Sequence, residues 1–182
     1  MAKAIGMIEY ATVSTGISAT DTMLKTAEVE VIEAQTVCPG KYIAIIGGEI
    51  SAVKASVENA KSQFGEKLID TFVLGNPHES VIPAIYGANS VENPKALGVL
   101  ETFSVASMIV AADAAAKTAE VDLIELRLAR GMCGKSYMLI TGSVSAVAAS
   151  IERAKQEAGD KAMFLDSQVI ANPDSKLWAS VL

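Results

Sequence analysis

Ala4-Ile-Gly-Met-Ile-Glu9 and Ala96-Leu-Gly-Val-Leu-Glu101 are one motif written twice. Lys25-Thr-Ala-Glu-Val29 returns as Lys117-Thr-Ala-Glu-Val121 at the same offset of 92, and over residues 4–37 that offset gives 14 identities in 34 positions, too many for chance. The offset then lengthens. Gly40-Lys41 and Ser51-Ala-Val53 match Gly134-Lys135 and Ser145-Ala-Val147 at 94, and Asn76-Pro77 matches Asn172-Pro173 at 96. The extra residues fall between elements, as in a duplicated fold. Two domains follow, over residues 1–88 and 96–182. They are joined by the polar, proline-containing linker Asn89-Ser-Val-Glu-Asn-Pro-Lys95.

Each repeat carries the same order of elements. Ala4–Ala11 reads as a short apolar strand, and Val13–Ala27 as an amphipathic helix with Ile17, Met23 and Leu24 on its apolar side. Val29–Val37 reads as a half-buried strand, Cys38-Pro-Gly-Lys41 as a tight connection and Tyr42–Ile46 as the returning strand, which Gly47-Gly48 ends. A second helix runs from about Ser51 to Gln63, Leu68–Leu74 is a last strand, and Pro77–Tyr86 is expected to be a short helical tail. This βαββαβ order predicts an α+β chain of two tandem ferredoxin-like domains, each an antiparallel sheet with helices on one face.

Composition narrows the function. The chain has 182 residues and 19.0 kDa, with 51% hydrophobic and 20% charged residues, which excludes a disordered chain. Mean hydropathy is +0.35, yet the most apolar run, Phe103–Ala116, is broken by Asp113, so no stretch reaches the ~18–20 apolar residues of a membrane span. The start, Met-Ala-Lys-Ala-Ile-Gly, lacks the pattern of a secretory signal. Two cysteines without a signal point to a reducing cytoplasm. A net charge of −6 and a pI near 4.8 argue against nucleic acid as a partner.

Duplication makes one chain a covalent dimer of similar domains, so a threefold assembly places six of them around an axis. Beyond this, the pattern Ala4-Ile-Gly-Met-Ile-Glu9, Asp21-x-Met-Leu-Lys25-x-Ala and Gly48-Glu-Ile-Ser-Ala-Val53 resembles bacterial microcompartment shell domains, in both repeats and over nearly the whole chain. The resemblance implies a homotrimeric, pseudohexameric tile that packs against neighbouring shell proteins in a cytoplasmic compartment. It also implies that Lys25 and Lys117 are tile-edge lysines, and that the loops Thr36–Lys41 and Arg130–Lys135 line a central pore. Val37, Pro39, Gly40 and Lys41 of the first loop and Met132, Cys133 and Gly134 of the second are then pore residues. Gly75-Asn-Pro-His78 and Ala171-Asn-Pro-Asp174 depart from the Pro-Arg-Pro-His edge motif of single-domain members.

Thr36-Val-Cys-Pro-Gly-Lys41 is similar to the loop of the iron–sulfur shell proteins of propanediol-utilisation microcompartments. That resemblance implies that Cys38 of three chains binds one [4Fe–4S] cluster, serving electron transfer or cluster exchange with an encapsulated or cytosolic redox protein. From the residues alone, one chain offers two cysteines with no Cys-x-x-Cys spacing, and three thiolates arise only from three copies. Lys41 close by would favour a thiolate. Cys133, where that relative has glycine, reads as a packing thiol, with a second ligand or an oxidation partner of Cys38 as alternatives. A plain tile with a metabolite-conducting pore and no cluster stays open, and so does a trimeric sensor or enzyme with ligands in its clefts.

The remaining candidates read as structural. His78, the only histidine, has no neighbouring nucleophile in sequence; Glu9 and Glu101 are a repeated strand-end position; Gly47-Gly48 lacks the rest of a phosphate loop. No arrangement for turnover of a substrate is present, and the chain reads as no enzyme.

Overall fold

A computed structural model of the chain describes residues 3–159 and 162–181. The first repeat forms β1 (Ala4–Tyr10), α1 (Val13–Thr26), β2 (Val29–Val37), β3 (Lys41–Gly48), α2 (Ile50–Phe64) and β4 (Leu68–Gly75), with a 3-10 turn at Gly65–Lys67. Its sheet has the order β2-β3-β1-β4 and is antiparallel throughout. This is the order that the βαββαβ reading predicts.

Why β1 is placed centrally follows from its composition. All seven of its residues are buried, so it must pair on both edges and be covered on both faces. On the helical side Ala4, Ile8 and Tyr10 join Ala44 and Ile46 of β3, and Ala19, Met23, Val53, Val57 and Ala60 of the two helices. Burying one such isoleucine or methionine contributes about 1.5–3 kcal/mol. Gly6 lies in this row, where a Cβ would stand 2.6 Å from Val53 Cγ1 and 2.7 Å from Val57 Cγ2. Helix α2 rests on the bare backbone of β1, which is why the motif keeps glycine at its third position. Tyr10 closes the layer: its hydroxyl donates to the Ala60 carbonyl at 3.1 Å, and its ring meets Phe64 edge-on.

The second repeat builds β5 (Ala96–Thr102), α4 (Val105–Thr118), β6 (Val121–Leu128), β7 (Ser136–Gly142), α5 (Val144–Gly159) and β8 (Phe164–Ile170), with sheet order β6-β7-β5-β8. Gly98 repeats the close approach: a Cβ there would lie 2.7 Å from both Ile140 Cγ1 and Val147 Cγ1. The tie between helices is also repeated. Ser56 Oγ donates to the Met23 carbonyl at 2.9 Å, and Ser150 Oγ to the Ala115 carbonyl at 3.0 Å. Elsewhere the copies exchange bulk. Gly16 faces Tyr42, whose ring atoms stand 2.5 Å from where a Cβ would be, whereas the corresponding positions are Met108 and Ser136, both buried.

The tails are α3 (Val81–Ile85) and α6 (Ser175–Val181). Helix α3 is shorter than the expected Pro77–Tyr86: the His78 N–H is engaged by Asp113 and the His78 carbonyl accepts the Val81 N–H in a turn, so the helix begins only at Val81. By packing, the chain divides into compact units Met1–Pro77 and His78–Leu182, so α3 belongs with the second unit although it ends the first repeat. Val81 and Ala84 are fully buried, and α3 packs on β6 and α4. Asn89 Nδ2 fastens the connection by donating to the carbonyls of Ser80 at 3.0 Å and Leu123 at 2.8 Å. Helix α6 packs Trp178 and Val181, together with Val91, against Leu97, Ile124 and Leu139. Among the described residues no helix is long and apolar enough to cross a membrane.

Candidate functional site

The first candidate loop is the turn between β2 and β3. Strand register pairs Val37 with Lys41, and the Gly40 N–H donates to the Val37 carbonyl at 2.9 Å, closing a four-residue turn. Gly40 has φ 97°, and a Cβ at this position would meet no atom within 4 Å, so glycine is needed there for its backbone and not for space. The Cys38–Pro39 peptide is cis. Val37 is buried, Cys38 is a half-buried free thiol, and Pro39 and Gly40 are exposed. The turn therefore carries a sulfur donor on a short projection from the end of the sheet.

Lys41, which follows the turn, is held by an ion pair. Its Nζ is 2.9 Å from Glu9 Oε1, and Glu9 is fully buried. The ammonium expected beside the Cys38 thiol is thus also engaged by a buried carboxylate of the central strand. Burial pushes the Glu9 carboxyl above its ordinary value, the Lys41 ammonium opposes that, and Asp70, directly opposite Glu9 on β4, adds to it. Glu9 Oε2 is buried without a hydrogen-bond partner. Glu9 is thus more than a repeated strand end. A glutamate inside an otherwise apolar strand was its only signal in sequence.

The second loop differs in kind. Between β6 and β7, Ala129, Gly131, Cys133 and Gly134 all have positive φ, at 56°, 70°, 53° and 89°. The Lys135 N–H donates to the Met132 carbonyl at 3.1 Å. Cys133 is an exposed free thiol in a conformation that costs a non-glycine residue about 1–2 kcal/mol. Gly134 is buried and Met132 half-buried. On the neighbouring strands, Glu125 accepts from Tyr137 Oη at 2.7 Å and from Arg127 Nη2 at 2.6 Å, and the Arg127 guanidinium lies over the Tyr137 ring. Burial and Glu125 push the Tyr137 phenol up to about 12. Nothing in the sequence marked this cluster, since it joins residues of two strands.

The two lysines of the repeated Lys-Thr-Ala-Glu-Val motif end α1 and α4. Lys25 Nζ is 2.6 Å from Asp21 Oδ2, and Lys117 Nζ is 2.7 Å from Asp113 Oδ2, the favourable order of an i,i+4 pair. Their settings differ: the Lys25 and Asp21 side chains are 75% and 59% exposed, Lys117 and Asp113 39% and 8%. His78 is structural, as its backbone N–H donates to Asp113 Oδ1 at 2.7 Å and its Nδ1 lies 2.8 Å from Ser80 Oγ.

Among the described residues no three His, Cys, Asp or Glu side chains gather as a metal site. Thiol sulfur is the donor type that iron–sulfur clusters take, and the Cys38 turn offers one such donor per chain, so the donor set fits a cluster only when copies combine.

Known proteins share both the sequence pattern and the fold. The BMC domain family matches residues 4–77 and 96–173. The bacterial microcompartment shell protein PduT of Citrobacter freundii is 40% identical over 182 residues, all of this chain and 99% of that protein. The carboxysome assembly protein CcmO of Synechocystis sp. is 28% identical over 85% of this chain and 56% of its own length. Among solved structures, a microcompartment protein of Desulfitobacterium hafniense superposes with a TM-score of 0.90 at 44% identity, covering 97% of this chain and 98% of the other. The fused permuted hexameric shell protein MSM0275 of the RMM microcompartment shares the fold at a TM-score of 0.62 and 21% identity, over 86% and 81% of the two chains.

Proposed function

Because the chain belongs to the BMC domain family and is a structural shell protein of a bacterial microcompartment, we propose that it works as a homotrimeric, pseudohexameric tile carrying a [4Fe–4S] cluster on Cys38 of three chains. A single observation carries the ring: one repeat leaves open what the other buries. Ile17 and Leu24 of α1 and Val31 of β2 are 53%, 43% and 43% exposed, while their counterparts Ile109, Ala116 and Leu123 are buried. Conversely Met7, Glu9 and Ile43 are fully buried, while Val99, Glu101 and Tyr137 are only partly so. Two such complementary open surfaces on one chain are what a head-to-tail ring of identical copies covers.

Within the ring, Cys38 supplies the thiolates. Three of them satisfy three irons and leave the fourth iron for another ligand. Bound there, the cluster would supply one-electron chemistry to an encapsulated or cytosolic redox protein, or be exchanged as a unit. Lys25 and Lys117 would face neighbouring tiles in the sheet of the shell. No substrate turnover is part of this reading.

Anaerobic native mass spectrometry of the reconstituted protein tests it. The expected species is a trimer of about 57 kDa from chains of 19.0 kDa, carrying one four-iron, four-sulfide increment that Cys38→Ser removes. A trimer without the increment would leave a plain tile with a metabolite-conducting pore. Full cluster content in Cys38→Ser would refute the ligand assignment.

A further inference from the structure

On the footing of the pore-loop reading above, we propose that Glu9 is the positioning residue of the Cys38 loop, acting through Lys41. Lys41 is the first residue of β3, where the turn re-enters the sheet opposite Val37. Its side chain runs along the sheet face to Glu9 of β1, which is paired with Ile43 of β3, and closes a contact across 32 residues of sequence at 2.9 Å. Among the described residues, the charged groups that act on Glu9 are Lys41 and, facing it from β4, Asp70. Glu9 is fully buried and its second oxygen has no hydrogen-bond partner, so Lys41 is the cation on which this carboxylate depends. Removing one member of a buried pair leaves an uncompensated charge, and that penalty keeps the partners together. The arm of the loop that follows Gly40 is thereby fastened to the central strand.

The second repeat shows what the loop base is like without this anchor. Glu101 is only half-buried, and among the described residues it forms no ion pair with Lys135, the counterpart of Lys41. Tyr137 stands where the first repeat has Ile43, and its hydroxyl bonds Glu125. Duplication supplied both repeats with the same Glu and Lys, and among the described residues the repeat bearing Cys38 is the one that joins them. A thiol that must meet two copies of itself on one cluster needs its backbone held to a fraction of an ångström, which is the task of a supporting contact behind the first ligand.

The test compares the full chain with Glu9→Gln, with Glu9→Gln/Lys41→Met, which leaves no buried unpaired charge, and with the charge-retaining Lys41→Arg. The first readout uses the metal-free trimer: the rate of Cys38 alkylation by iodoacetamide, followed on the Cys38 peptide. Both clamp-less variants are expected to shift that rate about tenfold, the size a charge-assisted hydrogen bond supports, while Lys41→Arg stays near the parent. The second readout is the paramagnetic resonance spectrum and midpoint potential of the reconstituted cluster, both expected to move in Glu9→Gln. Unchanged rates, spectrum and potential in trimeric Glu9→Gln would overturn the positioning role and leave the cluster reading intact. Shifted rates in a protein whose parent takes up no cluster would support the clamp and refute the cluster.

Discussion

Asp113, in the middle of α4, accepts the backbone N–H of His78 at 2.7 Å through one carboxylate oxygen and pairs with Lys117 at 2.7 Å through the other. A buried helical carboxylate thus holds the backbone that leads into α3. Asp113→Ala removes the acceptor of a part-buried N–H and the partner of Lys117, and should lower stability by about 1–2 kcal/mol. Thermal unfolding measures the loss, and hydrogen exchange should show faster opening over Val81–Ile85 than over α5.

Gly6→Ala and Gly98→Ala should each destabilise by about 1–3 kcal/mol through overpacking. The added Cβ of the first would lie 2.6 Å from Val53 Cγ1, well inside contact distance. Val53→Ala in the Gly6→Ala background should recover part of the loss in denaturant titrations. If Gly6→Ala alone unfolds at the parent midpoint, α2 does not rest on β1 as described.

Glu9 predicts a signed pH dependence. Its folded-state value is raised above the ordinary 4.5, so between those two values the folded protein holds a proton that the unfolded chain has released. Stability therefore falls as pH rises through that window. Subtracting the Glu9→Gln curve from the parent curve isolates this slope, and a difference that is flat or rises from pH 4.5 upward would contradict it.

Ile17→Asp should leave the chain folded but monomeric, because Ile17 is 53% exposed on a single chain. Ile109→Asp, at the equivalent position with no exposure, should instead unfold the protein, since a buried carboxylate without a partner is strongly unfavourable. Sedimentation velocity and circular dichroism together separate the two outcomes. A trimeric Ile17→Asp would remove α1 from the ring contact.

Cys133→Gly should raise stability by up to about 1 kcal/mol. The residue sits at φ 53°, where glycine escapes the penalty of the left-handed conformation, and only the greater freedom of glycine in the unfolded chain offsets the gain. Denaturant midpoints of the two proteins decide it.

Much of the architecture was legible along the chain. The repeated Ala-Ile-Gly-Met-Ile-Glu motif, the Cys-Pro-Gly-Lys turn and the βαββαβ order were readable because each depends on neighbours in sequence: alternation, turn chemistry, helical spacing. The tight turn at Cys38 and the helix-end positions of Lys25 and Lys117 were readable for the same reason, while the roles expected of them came from the resemblance alone. Strand register was not written that way. It brings Lys41 to Glu9, and it is register that turns a repeated strand-end glutamate into a buried anchor. Packing decided that α3 leaves its own repeat, that Gly16 with Tyr42 trades bulk with Met108 and Ser136, and that Ile17 stays open while Ile109 is covered. Two related helical patterns, the second more apolar, receive different surroundings, and surroundings are a property of the folded chain: local periodicity says which side of an element is apolar, and only the three-dimensional arrangement says what, if anything, lies against it.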